Sequence, residues 1–422
     1  MSSTLSRCSL GFGKLGNGSD AQKHRFYLNI KDRMTKSLQH KTYPIMPYTS
    51  KFIRTLTYHT RAINALKFSR DCSKLLSGGD DASVVVWDLK SSAGYQVIRV
   101  PLHGPVSAIA WTCLRQFELS TAFVFGCADG TLFLCEKDTA RPHHTQQSFN
   151  APIEDLAFDS GHHRLASVSR EGVKIFEMDE QGNFAELASE PFEERLLPRG
   201  VVFVEEGKQI IVGFMESHEL RVFNVNPWKF ERSTRVSNQI GHLAISSSGE
   251  ELVMSDLEKG LSLHTLPLEN VPVQTATMSF RRKVTHRGIP LLVSMDDQII
   301  VGGTDNGMVE VFDKSQSGLP HTLDHWKRGC PNGIMALVFG SQSDDLAQKM
   351  AQAAAVQKKG RKSYLVAAGT GATGNTELSK AQITLWKTQT RAALELESLD
   401  HSHTDIRDAY HYSADRGIDQ RS

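Results

Sequence analysis

The sequence lacks the features that define several large protein classes. It has only six cysteines in 422 residues, and none form a CxxC pair, so neither a disulfide framework nor a zinc knuckle is predicted. No run of 18 apolar residues is present, and no membrane-spanning helix is therefore expected. The formal net charge is +1, which gives no overall attraction to nucleic acid or to a membrane. We therefore expect reduced thiols and a cytoplasmic or nuclear location.

The two ends of the chain are polar and lack an apolar pattern. Residues 1–56 carry ten Lys or Arg but only two acids, Asp20 and Asp32. Such segments bury too little apolar surface to fold alone. We predict a flexible basic extension over residues 1–50, a folded domain over 51–389 and a flexible polar tail over 390–422.

One strand–turn–strand element recurs along the patterned part of the chain. Each copy has an apolar strand, a short turn of small and polar residues, and a second apolar strand, and a further short apolar strand precedes it. The copies lie at 75–89, 123–136, 165–178, 210–225, 252–266, 299–314 and 364–387. Alternating, β-branched residues bounded by turn residues predict strands. The first five intervals between copies are 41–48 residues, close to the period of propeller blades, and the sixth, 74 residues, is longer because blade seven carries extra sequence. Seven copies predict an all-β, seven-bladed β-propeller of four-stranded blades.

The first copy carries a specific set of residues: His59, Ser77, Asp81 and Trp87, followed by Asp88. This set resembles the WD-repeat family, and the resemblance covers about residues 52–387. In that family the four residues form a hydrogen-bonded structural tetrad, and the resemblance implies the same role here. The other copies keep only parts of the set. The resemblance indicates a fold, whereas function has to be argued from sites.

The ends of the ring are predicted to meet in blade seven. Residues 52–58 form an apolar strand that precedes blade one and has no sheet of its own. An open ring would leave two unpaired sheet edges. We therefore predict that residues 52–57 form the outer strand of blade seven and pair with residues near 382–386.

Blade seven also contains an insertion with helical composition. Residues 343–362 are rich in Ala, Leu, Gln and Lys, with acids at the start and lysines at the end, as a helix dipole favours. The predicted helix either packs against its own blade or docks a partner. The basic segment 358–362 is either a nuclear import signal or a solvated helix end.

Two loops between the last blades form the predicted binding site. The first contains Arg281, Arg282, Lys283 and Arg287, and the second contains Trp326, Lys327 and Arg328. Arginine and tryptophan dominate binding hot spots, and clustered cations suit an acidic or phosphorylated protein segment. Two alternatives remain: solvated loops with no ligand, and contacts to a nucleic-acid backbone.

The predicted function is a non-catalytic scaffold that binds other proteins and is monomeric outside a complex, with no cofactor, metal or membrane contact. The glycine pattern at 369–374 precedes a strand, whereas a dinucleotide site needs a helix there. A nucleic-acid-associated factor using the basic N-terminal arm is one alternative. A propeller hydrolase is a less favoured one. On the inner strands it would have only Glu154, Asp155 and His242 to use.

Overall fold

The strands of the chain form seven antiparallel sheets of four strands each. The structure, a computed structural model, describes residues 48–90, 95–113, 122–136, 139, 141–236, 239–256, 260–267, 278–281, 293–295, 298–304, 308–314, 320–324, 334–342, 363–370 and 381–390. In every sheet the strands follow one another from an inner to an outer position. This arrangement is the predicted all-β, seven-bladed propeller, so the fold prediction is confirmed.

Blades one to four are each built from four consecutive strands. Blade one contains β2 Ile63–Phe68, β3 Lys74–Gly79, β4 Ser83–Asp88 and β5 Tyr95–Arg99. Blade two contains β6 Val106–Thr112, β7 Ala122–Cys127, β8 Thr131–Glu136 and β9 His144–Gln147. Blade three contains β10 Ile153–Asp159, β11 Arg164–Ser169, β12 Gly172–Met178 and β13 Phe184–Pro191. Blade four contains β14 Pro198–Val204, β15 Gln209–Phe214, β16 Glu219–Val225 and β17 Trp228–Arg235.

The later blades follow the same plan, except that the last one takes its outer strand from the start of the chain. Blade five contains β18 Ile240–Ile245, β19 Glu251–Asp256, β20 Gly260–Thr265 and β21 Met278–Arg281. Blade six contains β22 Val293–Met295, β23 Ile299–Gly303, β24 Met308–Asp313 and β25 His321–Asp324. Blade seven contains β26 Ile334–Gln342, β27 Ser363–Thr370, β28 Gln382–Thr390 and β1 Tyr48–Thr57. A turn of 3₁₀ helix, Pro101–His103, connects blades one and two.

The ring is closed by the pairing that the sequence predicts. Strand β1 lies antiparallel to β28, with Phe52 opposite Trp386 and Thr57 opposite Gln382. The inner strand of each blade contacts the inner strand of the next, and β26 of blade seven contacts β2 of blade one. Closure removes the two open edges that a linear stack of sheets would expose.

The hydrophobic core lies between neighbouring blades. One cluster joins Ala108 and Leu132 of blade two to Leu156 and Phe176 of blade three, and equivalent clusters recur around the ring. Close approach of the sheets requires glycine at Gly78. A Cβ there would stand 2.6 Å from the Val106 side chain of the next blade. Apolar area removed from water at these seams is the main force that holds the ring together.

Several predicted segments fall outside the described residues. They include most of the basic extension 1–50, the helical insertion 343–362 and almost all of the tail 390–422. Within the described ranges, no helix has the length and apolar content needed to cross a membrane.

Candidate functional site

The loops of the propeller divide between two faces. Because strands alternate in direction, the loops that join successive blades emerge on the same face as the turns between the second and third strands. We call this the upper face. In the first three blades it is formed by residues 58–62, 80–82, 100–105, 128–130, 148–152 and 170–171. The inner strands start at this face, so their first residues surround the upper mouth of a central channel.

A buried hydrogen-bond network supports the upper face at blade one. His59 Nε2 lies 2.7 Å from Ser77 Oγ, and His59 Nδ1 lies 3.0 Å from Asp81 Oδ1. Trp87 Nε1 donates to Ser77 Oγ at 2.8 Å. His59 and Ser77 are fully buried, and the network brings together all four residues of the predicted set. We call these four residues the blade-one tetrad.

The carboxylate of the tetrad is held in its charged form. Burial raises the pKa of Asp81, but hydrogen bonds from His59 and Ser83 outweigh this effect and lower the pKa to about 2. The Thr60 backbone N–H also donates to Asp81, at 2.9 Å. The loop after β1 is therefore tied to the turn between β3 and β4, which makes this part of the upper face rigid.

Blade two keeps a smaller version of this support. His103 Nδ1 lies 2.7 Å from Asp129 Oδ2, and its ring contacts Phe133 edge to face at 4.8 Å. Burial raises the pKa of Asp129, but hydrogen bonds, first from Thr131 and then from His103, bring it below its usual value. The loop between blades one and two is thus fixed to the neighbouring turn of blade two.

Most of the predicted basic site falls outside the described residues. Strand β21 ends at Arg281, whose backbone pairs with Gly260. The other members of the predicted site have no described position: Arg282, Lys283, Arg287, Trp326, Lys327 and Arg328. The site therefore stays a prediction.

The central channel holds the inner-strand candidates for chemistry. It encloses a cavity of about 450 Å³, and Glu154, Asp155 and His242 line it together with Arg199. Arg199 Nη1 lies 3.5 Å from Glu154 Oε2, and Asp155 Oδ2 accepts a hydrogen bond from the Val201 backbone N–H at 3.0 Å. Sequence reasoning missed Arg199, because it follows Pro198 at the start of a strand.

Burial influences the protonation of Glu154 and His242 more than any neighbouring charge does. Burial raises the pKa of Glu154, and the nearby Arg199 counteracts that rise only in part. Burial lowers the pKa of His242 to about 4, so the imidazole is neutral at pH 7. The Ser107 hydroxyl donates to the Ile153 carbonyl at 2.5 Å rather than to a base. Within the described ranges, no cluster of three or more His, Cys, Asp or Glu could hold a metal ion.

Three residues of the upper face are prominent in the structure but were not singled out from the sequence. Leu102 is 92% exposed, although it is a large apolar residue. Arg99 is exposed and lies over the ring of Tyr58, with 5.8 Å between Cζ and the ring centroid. Exposure of this kind depends on how loops pack, so no local pattern in the sequence reveals it.

Comparisons with known proteins agree with this architecture. Residues 50–88 match the WD40 family, described as WD domain, G-beta repeat. A 44-residue stretch, 10% of this chain, is 46% identical to 8% of Retinoblastoma-binding-like protein E from Dictyostelium discoideum. An 87-residue stretch, 20% of this chain, is 33% identical to 11% of Elongator complex protein 2 from Drosophila melanogaster. The chain therefore spans only a small part of either relative.

A solved structure shares the whole ring. The β-propeller domain of Cps50 (Swd1) from Myceliophteria thermophila superimposes with a TM-score of 0.59 at 16% identity, covering 80% of this chain and 99% of that domain. At this identity the likeness shows the fold alone. The sheets, the ring closure and this likeness define a seven-bladed β-propeller. The match of residues 50–88 to the WD40 family, together with the blade-one tetrad, identifies a WD repeat at blade one.

Proposed function

We propose that this propeller is a non-catalytic scaffold that binds partner proteins on its upper face. The observation that carries the proposal is the support beneath the loops of blades one and two. Buried or half-buried His–Asp pairs hold both loops from below, at 3.0 Å for His59 and 2.7 Å for His103. A rigid surface loses little conformational entropy on binding, which favours recognition by preformed loops.

The chemistry of the channel supports a binding role over an enzymatic one. Glu154 is paired with Arg199, and Asp155 accepts from a backbone N–H. A hydrolase would instead aim an activated nucleophile or a metal-bound water at an open position. The predicted basic loops, 281–287 and 325–330, extend the proposal to acidic or phosphorylated protein segments.

The names of the two relatives support the proposal that this chain binds other proteins. One is named as a binding protein and the other as a component of a complex. By extension we propose that this chain works within a protein complex in the cytoplasm or nucleus. It would be monomeric outside that complex.

The proposal is tested by affinity purification of the full chain from its source cells, followed by reconstitution with the most enriched purified protein. We expect a stable stoichiometric complex that survives nuclease treatment. Partners released by nuclease would instead favour the nucleic-acid-associated alternative. Esterase or lactonase activity of the pure chain, lost on changing Glu154 to Gln, would contradict the non-catalytic role.

Two variants then locate the binding face. The combined change Arg281→Glu, Arg282→Glu and Lys283→Glu should release an acidic partner and leave the melting temperature nearly unchanged, because the proposal places these charges on the surface, where charges contribute little to stability. Deletion of residues 344–359 is the matched control and should keep the partner bound. The reverse pattern would assign binding to the predicted helix, which follows the first strand of blade seven and is therefore expected on the face opposite the upper one.

A further inference from the structure

A small patch on the upper face of blade one combines apolar and cationic side chains. It consists of Tyr58 on the loop before blade one, Arg99 at the end of the outer strand of that blade and Leu102 on the loop after it, with Arg61 three residues beyond Tyr58 on the same loop. We call it the blade-one patch. Arg99 and Leu102 are three residues apart, so no more than about 10 Å of chain separates their α-carbons. Arg99 also contacts Tyr58 across the two loops.

Leu102 is the most exposed large apolar residue among the described residues. It is 92% exposed, whereas Ile53, Leu187 and Phe230 are between 41% and 45% exposed. It lies in the middle of the 3₁₀ turn Pro101–His103, whose first residue has a fixed φ. A leucine held almost fully in water by a rigid turn has no role in the core.

The backbone that presents Leu102 is anchored on both sides. The Val100 N–H donates to the Ala82 carbonyl at 2.9 Å, and the Val100 side chain is buried. On the other side His103 pairs with Asp129 at 2.7 Å. The leucine therefore cannot easily turn inward, and its exposure is built into the fold.

The aromatic ring of the patch is also held in place. The Arg99 guanidinium donates to the Tyr58 hydroxyl and lies 5.8 Å from the ring centroid. The rings of Tyr58 and His59 pack nearly perpendicular to each other, with 6.0 Å between centroids. Because His59 belongs to the buried tetrad, the position of Tyr58 is linked to the most rigid part of blade one.

The charge exposed by the patch is positive. Arg61 and Arg99 are both exposed. The acids of the neighbouring turns bond to groups of the propeller itself. Asp80 accepts from Asn64 at 2.8 Å, Asp81 belongs to the tetrad and Asp129 pairs with His103. Among the described residues of these turns, the carboxylates are therefore engaged within the propeller, and the two arginines are the charges presented to a ligand.

We propose that the blade-one patch binds an acidic protein segment that places an apolar side chain against Leu102 and a carboxylate on Arg99 or Arg61. Arginine–carboxylate pairs and buried apolar anchors are the usual sources of binding energy at such sites. A nucleic acid is disfavoured, because an aliphatic leucine does not stack on bases and two arginines neutralise few phosphates. The proposal rests on the proposed function and names the partner class for one part of that face.

The test is a selection of random 16-residue peptides, displayed on phage, against the full-length chain. Enriched peptides are then synthesised, and their affinities are measured by fluorescence polarisation. We expect peptides that combine Asp or Glu with Leu, Phe or Trp. Leu102→Ser and Arg99→Ser should each weaken binding by about tenfold or more, as loss of a hot-spot residue does.

Matched controls separate the patch from general surface effects. Leu187→Ser removes an exposed leucine from the outer strand of blade three, and Lys229→Ser removes an exposed cation from blade four. Both should leave affinity unchanged. Leu102→Ser should alter the melting temperature by no more than about 2 °C, because the side chain is in water.

Other outcomes overturn the proposal in distinguishable ways. If peptides bind wild type and Leu102→Ser equally, the binding site lies outside the blade-one patch. If the same peptides are released by the triple Glu variant, the proposed function is still supported. Enrichment of basic peptides, or tighter binding of a single-stranded oligonucleotide than of any peptide, would contradict the partner class. Residues 391–422 of the tail carry seven acids and four arginines, and their deletion should not strengthen peptide binding. A tenfold gain would make that tail the occupant in place of a partner.

Discussion

Blades one and three both have a buried serine at the same position of the second strand, but the hydrogen bonding around the two serines differs. Ser77 and Ser167 are both fully buried in the second strand of their blades. Trp87 pairs with Leu75 in blade one as Phe176 pairs with Leu165 in blade three. Ser77 Oγ is bonded to His59 and Trp87, whereas Ser167 Oγ has no hydrogen-bond partner among the described residues.

The comparison shows which forces the fold requires. Blade three forms the same four strands as blade one, although Phe176 cannot donate the hydrogen bond that Trp87 donates. Its apolar residues pack against blade four, and Val168 and Ile175 belong to one buried cluster with Val212 and Phe223. Packing between blades is therefore sufficient for a blade to form. The tetrad adds local stability and fixes the upper-face loops above it.

The largest expected effect is the loss of the blade-one tryptophan. Trp87→Ala removes a ring that is 94% buried and leaves the partners of the network without their donor, at a cost of about 3–5 kcal/mol in the free energy of unfolding. Urea unfolding followed by circular dichroism measures the change. Trp228→Ala is the control, because this half-buried tryptophan stacks on Phe223 outside any tetrad and should cost less. Equal midpoints for wild type and Trp87→Ala would contradict the role of the network.

Blade five carries His264 at the position that Trp87 occupies in blade one. Because histidine titrates, the free energy of unfolding should depend on pH at this position. Burial lowers the pKa of His264 to about 4, and its Nδ1 has no partner among the described residues. The unfolded chain therefore binds a proton near pH 6.5 that the folded chain does not accept until about pH 4. Above pH 6.5 His264 is neutral in both states and does not reduce the free energy of unfolding. As the pH falls from 6.5 to 4, this residue lowers the free energy of unfolding by about 3 kcal/mol.

His264→Phe gives blade five the residue type that blade three uses. The variant should differ little from wild type at pH 7 and should be about 2–3 kcal/mol more stable near pH 4. Urea unfolding at several pH values between 7 and 4 measures this difference. His242, whose pKa is also lowered to about 4 by burial, keeps its own share of the pH dependence in both proteins. Parallel pH curves for the two proteins would show that His264 is not buried in its neutral form.

The sequence predicts the ring of blades far better than it predicts the proposed binding surface on the upper face. Inner and middle strands such as Lys74–Gly79 are buried apolar runs, and they repeat with a fixed period, so seven blades could be counted. Outer strands such as Phe184–Pro191 alternate weakly, because most of their side chains face solvent. The exposure of Leu102 and the contact between Arg99 and Tyr58 depend on two loops from different blades. No single stretch of sequence encodes that contact.

A moderate effect is expected at the serine of blade one. Ser77→Ala removes the acceptor for Trp87 Nε1 and the partner of His59 Nε2, and it leaves two buried polar groups unsatisfied. Each buried unsatisfied group costs about 1–3 kcal/mol, so we expect a loss of about 2 kcal/mol or more. Urea unfolding of Ser77→Ala beside wild type measures it. A change below about 0.5 kcal/mol would show that water satisfies these groups and that the tetrad contributes little.

The smallest effect, and the sharpest test of the comparison, is the same substitution in blade three. Ser167→Ala removes a buried hydroxyl that has no hydrogen-bond partner among the described residues, so no bond is lost and the unfavourable burial of a polar group is relieved. We expect a change between zero and about 1 kcal/mol in the stabilising direction, measured by urea unfolding. The two serines have the same volume and the same burial, so the cavity left by the missing hydroxyl is matched. A difference in sign between Ser77→Ala and Ser167→Ala therefore isolates the hydrogen bonds of the tetrad. If Ser167→Ala destabilises the protein as much as Ser77→Ala does, then the blade-three hydroxyl has a partner of its own, and the contrast between the two blades lies in packing alone.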